Sequence, residues 1–426
     1  MERLMQFVWQ HRLGLRNDLR TVDNRKLRII DQGQLNSDAG PDFFNATIEL
    51  DGQTWVGNIE IHVRASDWFR HHHDTDPAYD SVILHVVQID DAPIHRNSGE
   101  LIPQMIMHCT PEGAQRCNRL INYANSALPC ETTIASLPTI YRTDWLTSLG
   151  AERLYEKSER IRLIVSETKG DWEAAAFITF ARALGFGLNS QPMEQLARSL
   201  PLKFLNRHRD DLTLLEAFLF GQAGLIPPLR PKEEPYVGRL RQEYAFLAHK
   251  YSLRQLSLNW KLSRTRPQNF AHRRIAMLAQ KVYEGFNLTG QIAAADTIEK
   301  MRMVFETCLT GFWATHFTFE SDYAASAQAL GKTSIDTLII NTALPLRHAY
   351  ATYRGDYNSL AANIELMQQI APENNSVTRI FINAGLEAPV AFDTQAMILR
   401  RREYCEKKKC IYCRFGHRML SAEMAK

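Results

Sequence analysis

The stretch from Asp31 to Gln88 constrains the fold more than any other part of the sequence. Two strand-like runs, Phe43 to Leu50 and Trp55 to Val63, flank Asp51-Gly52, a dipeptide typical of a tight β-hairpin turn. A third run, Ser81 to Ile89, is almost wholly apolar, as expected of a buried strand. The sequence therefore predicts a sheet that is built on one hairpin and one buried strand.

The second run separates its polar and apolar residues onto two faces. Successive side chains of a strand point to opposite sides, so Ile59 and Ile61 share one face while Glu60 and His62 lie side by side on the other. A carboxylate and an imidazole in adjacent positions are a candidate catalytic or metal-binding pair. The alternative is that they are ordinary polar residues on a solvated face.

Asp42 is the third candidate, because it follows Gly40-Pro41 and directly precedes the first run. By strand parity it shares a face with Phe44 and Ala46. We therefore expect it to meet Glu60 only if the twist or the end of the strand permits. The alternative is that Asp42 only shapes the turn.

Pro41-Asp42 and Glu60-Ile61-His62 together resemble the PD-(D/E)XK nuclease superfamily. In that family an Asp after a Pro and an acid-x-Lys on the next strand gather one or two Mg²⁺ ions at a phosphodiester. The resemblance implies that Asp42 and Glu60 hold Mg²⁺, which hard carboxylate oxygens suit, and that His62 assists the water or the phosphate. His62 stands where the family usually has Lys.

A second resemblance covers nearly the whole chain and points to an uncharacterised bacterial family, a domain of unknown function. It implies no activity. The residues that carry it are Gly40-Pro41-Asp42-Phe43, Gly57-Asn58-Ile59-Glu60-Ile61-His62, Asp67-Trp68, Arg266-Pro267-Gln268-Asn269-Phe270 and the C-terminal cysteines.

Further histidines lie close to this stretch in the sequence. Three of them, His71 to His73, are adjacent and stand beside Asp74 and Asp76. Adjacent side chains point in different directions, so at most two are expected to share one ion without a special loop. The alternative is a solvated loop. His85, in the apolar third run, is expected to be buried and hydrogen-bonded to a neighbour.

From Thr139 onward the apolar residues recur with the helical period. The predicted fold class is α+β: a mixed-sheet PD-(D/E)XK-like domain over residues 1–135, a large all-helical domain over 136–395, and a basic, cysteine-rich tail over 396–426. Helices are predicted over 2–13, 141–167, 172–184, 192–199, 212–222, 235–250, 271–284, 293–312, 335–351, 357–369 and 394–405.

The tail carries Cys405, Cys410 and Cys413, with His417 four residues further on. A Cys₃His set can close a tetrahedral Zn²⁺ site. The same C-x₄-C-x₂-C spacing occurs in [2Fe–2S] proteins with a distant fourth cysteine. The nuclease resemblance includes members with such an iron–sulfur cluster, for which Cys130 would be the distant ligand. The alternative is three unliganded thiols on a frayed tail.

Positive charge is concentrated although the net charge is only +3. Residues 244–283 contain eight basic residues and no acid, together with Trp260 and Phe270. Clustered cations with aromatic residues are typical of nucleic-acid binding, whereas the alternative is a solvated helix face. The predicted exposed positive face comprises Arg264, Arg266, Arg273 and Arg274.

Composition narrows the compartment. The sequence contains no run of about 18 apolar residues, which a membrane-spanning helix would need. The N-terminus lacks the apolar core of a secretory signal. Seven cysteines, an odd number, fit a reducing cytoplasm better than a disulfide framework. The sequence therefore predicts a cytoplasmic protein without a membrane partner.

The function predicted from these features is Mg²⁺-dependent cleavage of nucleic acid. One alternative is an inactive nucleic-acid-binding or scaffolding protein that kept the fold and lost the Lys. Another is a small-molecule metalloenzyme that uses His62, His71 to His73 and His85. The nuclease and the metalloenzyme both require the candidate side chains to converge, and the scaffold does not.

Overall fold

The structure, a computed structural model, describes residues 2–10, 12, 18–36, 40–108, 128–229, 234–262, 269–320 and 328–416. The chain divides into two compact units: Met1–Leu137 together with Arg402–Lys426, and Pro138–Arg401. The first unit contains a mixed sheet and the second is helical, so the predicted α+β class is confirmed.

The sheet of the first unit has six strands, of which five form a continuous path. Their order is β1, β3, β4, β5, β6, and β2 pairs with β3 off this path. The pairs among β1, β2, β3 and β4 are antiparallel, whereas β4–β5 and β5–β6 are parallel. The strands are β1 (Leu27–Asp31), β2 (Gln34–Leu35), β3 (Phe43–Leu50), β4 (Gln53–Arg64), β5 (Val82–Ile89) and β6 (Gln104–Ile106).

The hairpin turn forms where the sequence predicted it. Asp51 and Gly52 both have positive φ, at 49° and 85°, which is the conformation that a two-residue hairpin loop requires. The parallel β4–β5 pair needs a longer crossover connection. Residues 65–81 make it, with the short helix α2 (Asp67–Arg70) and a 3₁₀ turn at Pro77–Tyr79.

Helix α1 (Glu2–Gln10) contributes Met5, Val8 and Trp9 to an apolar cluster that also includes Ile59 and Ile61 of β4. The crossover contributes to a second apolar cluster, which consists of Ala65, Trp68, Tyr79, Val82, Val87, Ile94 and Ile102. The apolar alternation of β4 therefore fixes which of its side chains enter the core, and Glu60 and His62 belong to neither cluster.

The helical unit contains the helices Thr139–Glu167, Trp172–Leu184, Ser190–Ser199, Leu202–Asn206, Leu212–Gln222, Pro235–Tyr251, Ala271–Tyr283, Leu288–Ala294, Ile298–Phe305, Lys332–Leu338, Leu344–Arg354, Tyr357–Gln368, Ser376–Asn383 and Ala391–Arg400. A four-residue helix, Glu131–Ile134, lies in the first unit. Among the described helices, none combines the length and apolar character needed to cross a membrane.

One predicted helix, over residues 293–312, is wrong. The chain leaves the helical conformation at Ala295, and a new helix starts after Thr297, whose hydroxyl accepts a hydrogen bond from the backbone N–H of Lys300. A threonine cap of this kind satisfies an N–H that would otherwise lack a partner at the start of a helix. The second helix ends at Phe305, well short of residue 312.

Close packing in the helical unit depends on Gly150 in the helix Thr139–Glu167. A Cβ atom there would lie 2.6 Å from the ring of Phe392, which belongs to the helix Ala391–Arg400. Real Cβ atoms do not approach other atoms so closely, so glycine allows the aromatic ring to sit directly on the helix backbone.

We therefore expect Gly150→Ala to lower the free energy of unfolding by about 1–3 kcal/mol, because an added methyl group overpacks this contact. Chemical denaturation followed by circular dichroism measures the change. The matched control is Gly331→Ala, since Gly331 has negative φ and open space where its Cβ would be. Equal stability of the two variants would contradict the packing argument.

Candidate metal centre

Asp42 and Glu60 are joined by backbone hydrogen bonds. The backbone N–H of Asp42 donates to Glu60 Oε2 at 3.0 Å, and the N–H of Ile61 donates to Asp42 Oδ2 at 3.0 Å. The side chain of Gln6 in α1 donates to Asp42 Oδ1 at 2.7 Å. These three bonds hold the two carboxyl groups beside each other at the start of β3.

A β-bulge explains why strand parity did not predict this contact. The β3–β4 register shifts between Phe43 and Ala46, and Asn45 between them has a φ of 55°. An extra residue in one strand reverses the facing of all residues beyond it. Phe43 therefore enters the apolar cluster with Ala46, and Asp42 reaches Glu60.

The surroundings of Asp42 and Glu60 disfavour the ionised form of both carboxyl groups. Burial raises the pKa of Asp42 to about 7, with a further upward contribution from the charge of Glu60. Burial likewise raises the pKa of Glu60 to about 8, against the hydrogen bond from the Asp42 N–H. The charge of Glu2 acts upward on both pKa values. A bound cation would relieve the repulsion among these acids.

Glu2 is a site residue that the sequence did not reveal. Its position in the first turn of α1 looks peripheral in the sequence, yet its charge acts on Asp42, Glu60 and His73. The first helix brings its N-terminal end to this edge of the sheet, and the Gln6–Asp42 hydrogen bond fixes it there. The hydrophobic pattern of the sequence does not predict that the start of α1 lies at this edge of the sheet.

Two histidines contact Glu60, and two more contact the first of them, His62. His62 Nε2 lies 3.4 Å from Glu60 Oε1 and 3.2 Å from His71 Nδ1. His73 Nε2 lies 3.4 Å from the same oxygen of Glu60. One nitrogen from each of His62, His71 and His73 falls within 4.8 Å of the others. Behind them, His62 Nδ1 lies 2.8 Å from His85 Nε2.

The loop after α2 is what allows His71 and His73 to converge. His72 between them has a φ of 61°, a left-handed conformation that points its side chain elsewhere. Trp68 is buried and its ring lies edge-on to His73 at 5.4 Å, and Tyr79 stacks on His73 at 3.7 Å. Two of the three adjacent histidines thus lie close together, which is the largest number predicted without a special loop.

Burial keeps the inner histidines neutral. The pKa of His62 falls to about 2, mainly through burial and then through the neighbouring histidines, and burial lowers the pKa of His85 to about 3. Burial also lowers the pKa of His73, although nearby acids oppose it. A neutral imidazole is the form that binds metal ions. His85 is buried and hydrogen-bonded to a neighbour, as predicted.

The donor set therefore fits divalent cations. Asp42 and Glu60 supply carboxylate oxygens, which suit Mg²⁺, and His62, His71 and His73 supply nitrogens, which suit zinc and related transition metals. Among the described residues, these histidines are the group of three or more whose ligand atoms lie close enough to hold one ion.

The cysteines of the tail are buried within the first unit. Cys405 ends a π-helical turn, Cys410 begins a 3₁₀ turn and Cys413 follows it. A Cβ at Gly416 would lie 2.1 Å from the carbonyl oxygen of Cys410, so glycine lets the chain fold back onto the cysteine turn. His417 lies outside the described residues. Cys130 is buried in the same unit, and metal binding here stays a prediction.

The predicted positive face is wrong for two of its four members. Arg273 and Arg274 are buried. Arg273 donates to the carbonyl oxygens of Trp313 at 2.9 Å and His316 at 3.0 Å, and Arg274 lies over the Phe186 ring at 4.4 Å. Both guanidinium groups therefore have partners inside the fold: carbonyl oxygens for Arg273 and an aromatic ring for Arg274. Arg264 and Arg266 lie outside the described residues.

Comparison with known proteins identifies the family. Residues 2–376 match the family model described as "Protein of unknown function (DUF2851)", so the chain belongs to that family and the predicted whole-chain resemblance is confirmed. No curated protein and no solved structure matches the chain.

We expect Glu60→Gln to stabilise the metal-free protein at alkaline pH. The fold raises the pKa of Glu60 from 4.5 to about 8. The stability that protonated Glu60 contributes to the folded state is therefore complete below pH 4.5 and is lost as the pH rises through about 8. Glutamine keeps an acceptor for the Asp42 N–H and cannot ionise. Its free energy of unfolding at pH 9 should exceed that of the wild type by at least about 1 kcal/mol. Identical pH dependence of the two proteins, followed by urea denaturation, would be incompatible with a strained buried acid.

The tail prediction is tested by metal content. Protein purified without oxygen should contain bound zinc or an iron–sulfur cluster that Cys410→Ser removes, because thiolates are the ligands in either case. Elemental analysis and the visible absorption spectrum distinguish the two metals. Cys308→Ser is the control, since Cys308 is exposed in the other unit. The same metal content in both variants would rule out a tail site.

Proposed function

We propose that this protein is a metal-dependent phosphodiesterase that cleaves nucleic acid, with its reaction centre at Asp42 and Glu60. The observation that carries the proposal is the hydrogen-bonded convergence of the two carboxyl groups beside His62. The resemblance of the same residues to the PD-(D/E)XK superfamily supports a phosphodiester as the substrate.

Charge explains why the activity should require a cation. A phosphodiester is an anion, and Glu2, Asp42 and Glu60 together would repel it. Mg²⁺ held by Asp42 and Glu60 supplies a Lewis acid and activates water. The carboxyl groups are held for this role: Asp42 by Ile61 and Gln6, and Glu60 by the Asp42 N–H.

His62 does not replace the cationic Lys of the nuclease motif. It is fully buried, and its pKa is lowered to about 2, first through burial, so the ring is neutral at physiological pH. A neutral imidazole cannot neutralise a phosphate group. We assign His62 the role of a metal ligand through Nε2, which lies 3.4 Å from Glu60 Oε1.

A small-molecule metalloenzyme is the second candidate function. The convergence of His62, His71 and His73 beside Glu60 favours it, because catalytic zinc sites hold the metal through three histidines or through two histidines and a glutamate. The two functions share a metal centre and differ in the size of the substrate.

The test is a cleavage assay on chelator-treated protein with added Mg²⁺, Mn²⁺ or Zn²⁺. The substrates are single-stranded DNA, double-stranded DNA, RNA and the small diester bis(p-nitrophenyl) phosphate. We expect metal-dependent cleavage of at least one nucleic acid. Asp42→Asn should lower its rate by roughly 100-fold or more, because losing a ligand removes several kcal/mol of charge stabilisation.

Asp18→Asn is the matched control, since Asp18 is an exposed acid of the same unit. It should cleave like the wild type. Cleavage of the small diester alone would favour the second candidate. Absence of cleavage on every substrate, or equal activity of the Asp42 and Asp18 variants, would contradict the proposed function.

A further inference from the structure

We propose that His62, His71 and His73, together with Glu60 Oε1, form a binding site for a divalent transition metal of the zinc type. This site shares Glu60 with the Mg²⁺ position implied by the carboxylates and differs from it in its three nitrogen donors. Its ligand atoms come from strand β4 and from the loop that follows α2.

The donor spacing carries the proposal. Ligand bonds of 2.0–2.1 Å in a tetrahedral site place neighbouring donor atoms about 3.3–3.5 Å apart. Three separations match this spacing: 3.2 Å for His62 Nε2 to His71 Nδ1, and 3.4 Å from Glu60 Oε1 to each of His62 Nε2 and His73 Nε2. These contacts link the four donors in a chain, and one nitrogen from each of the three histidines lies within 4.8 Å of the others.

This arrangement requires an uncommon backbone conformation at His72. His72 adopts a φ of 61°, which is uncommon for a residue other than glycine and tends to persist where the surrounding structure enforces it. His71 and His72 are both exposed and His73 is partly buried, and His71 Nδ1 lies 3.2 Å from His62 Nε2.

Neighbouring rings restrict how the donors can move. His85 Nε2, 2.8 Å from His62 Nδ1, is placed to accept a hydrogen bond from the Nδ1–H group, which leaves the lone pair of His62 Nε2 available to a metal. Partners of this kind orient the histidine ligands of metal sites. His73 is held between Tyr79, stacked at 3.7 Å, and the edge of Trp68.

The chemistry of the donors selects the metal. Three imidazole nitrogens and one carboxylate oxygen favour zinc, manganese or iron over Mg²⁺, which prefers oxygen and retains its water.

His71 is exposed, so the ion would lie at a surface that a ligand can reach. Glu60 presents Oε2 to Asp42 and Oε1 to the histidines. The inference thus concerns the same centre as the proposed function and stands without it.

The experiment measures binding and not activity. Chelator-treated full-length protein is titrated with Zn²⁺ in competition with a colorimetric chelator, and separately with Co²⁺ as a spectroscopic probe. His71→Ala and His73→Ala should each weaken Zn²⁺ binding at one site by at least roughly 100-fold, since even partners behind the ligands contribute 10–100-fold. His95→Ala is the matched control, since His95 is an exposed histidine of the same unit, and it should bind Zn²⁺ like the wild type.

The Co²⁺ spectrum separates this site from the cysteine tail. Nitrogen and oxygen ligation gives visible bands of a four-coordinate ion without thiolate-to-cobalt charge transfer, and these bands should disappear in His71→Ala and His73→Ala only. Binding that is equal in all three histidine variants, or lost equally in His95→Ala, would overturn the proposal. Histidine-dependent Zn²⁺ binding without cleavage of any nucleic acid would uphold this site and refute the proposed function. Asp42-dependent cleavage with Mg²⁺, without histidine-dependent Zn²⁺ binding, would do the reverse.

Discussion

The candidate centre depends on a reciprocal pair of hydrogen bonds between the start of β3 and the middle of β4. Asp42 donates its N–H to Glu60 and accepts the N–H of Ile61. Two buried acids would otherwise repel each other, and here backbone groups hold them together. The bulge at Asn45 makes the contact possible because it reverses the facing of the strand.

The arrangement is more consistent with function than with stability. Burial raises the pKa of Asp42 to about 7 and that of Glu60 to about 8, so ionised carboxylates destabilise the metal-free fold near and above neutral pH. The charges that act on these two groups come from other acids, Glu2 among them. A ligand cation that binds only the folded state would offset this loss.

Local patterns in the sequence predicted the strands well, because strand formation follows from alternation and turn chemistry. β3 was predicted with its observed bounds, and the Asp51-Gly52 turn forms as expected. The side-chain placements at the site that the sequence left open share one cause. Left-handed φ values at Asn45 and His72 redirect the side chains around them, and nothing in a single sequence distinguishes these residues from ordinary loop and strand positions.

The basic segment failed for a different reason. Arg273 and Arg274 form part of an amphipathic helix pattern with apparent solvent exposure, yet the fold supplies carbonyl oxygens and aromatic rings that bury them. Partners such as the Trp313 carbonyl lie 40 residues away in the chain. Concentrated charge is therefore weak support for nucleic-acid contact in this unit, and the case for function lies with the sheet.

The central claim is that Glu60 and the surrounding histidines hold a transition metal. The most direct measurement is crystallographic: anomalous diffraction from crystals soaked in Zn²⁺, recorded on both sides of the zinc absorption edge. The account predicts an edge-dependent peak within bonding distance of Glu60 Oε1 and the ring nitrogens of His62, His71 and His73. Zinc peaks confined to other parts of the molecule, with these four side chains unliganded, would contradict it.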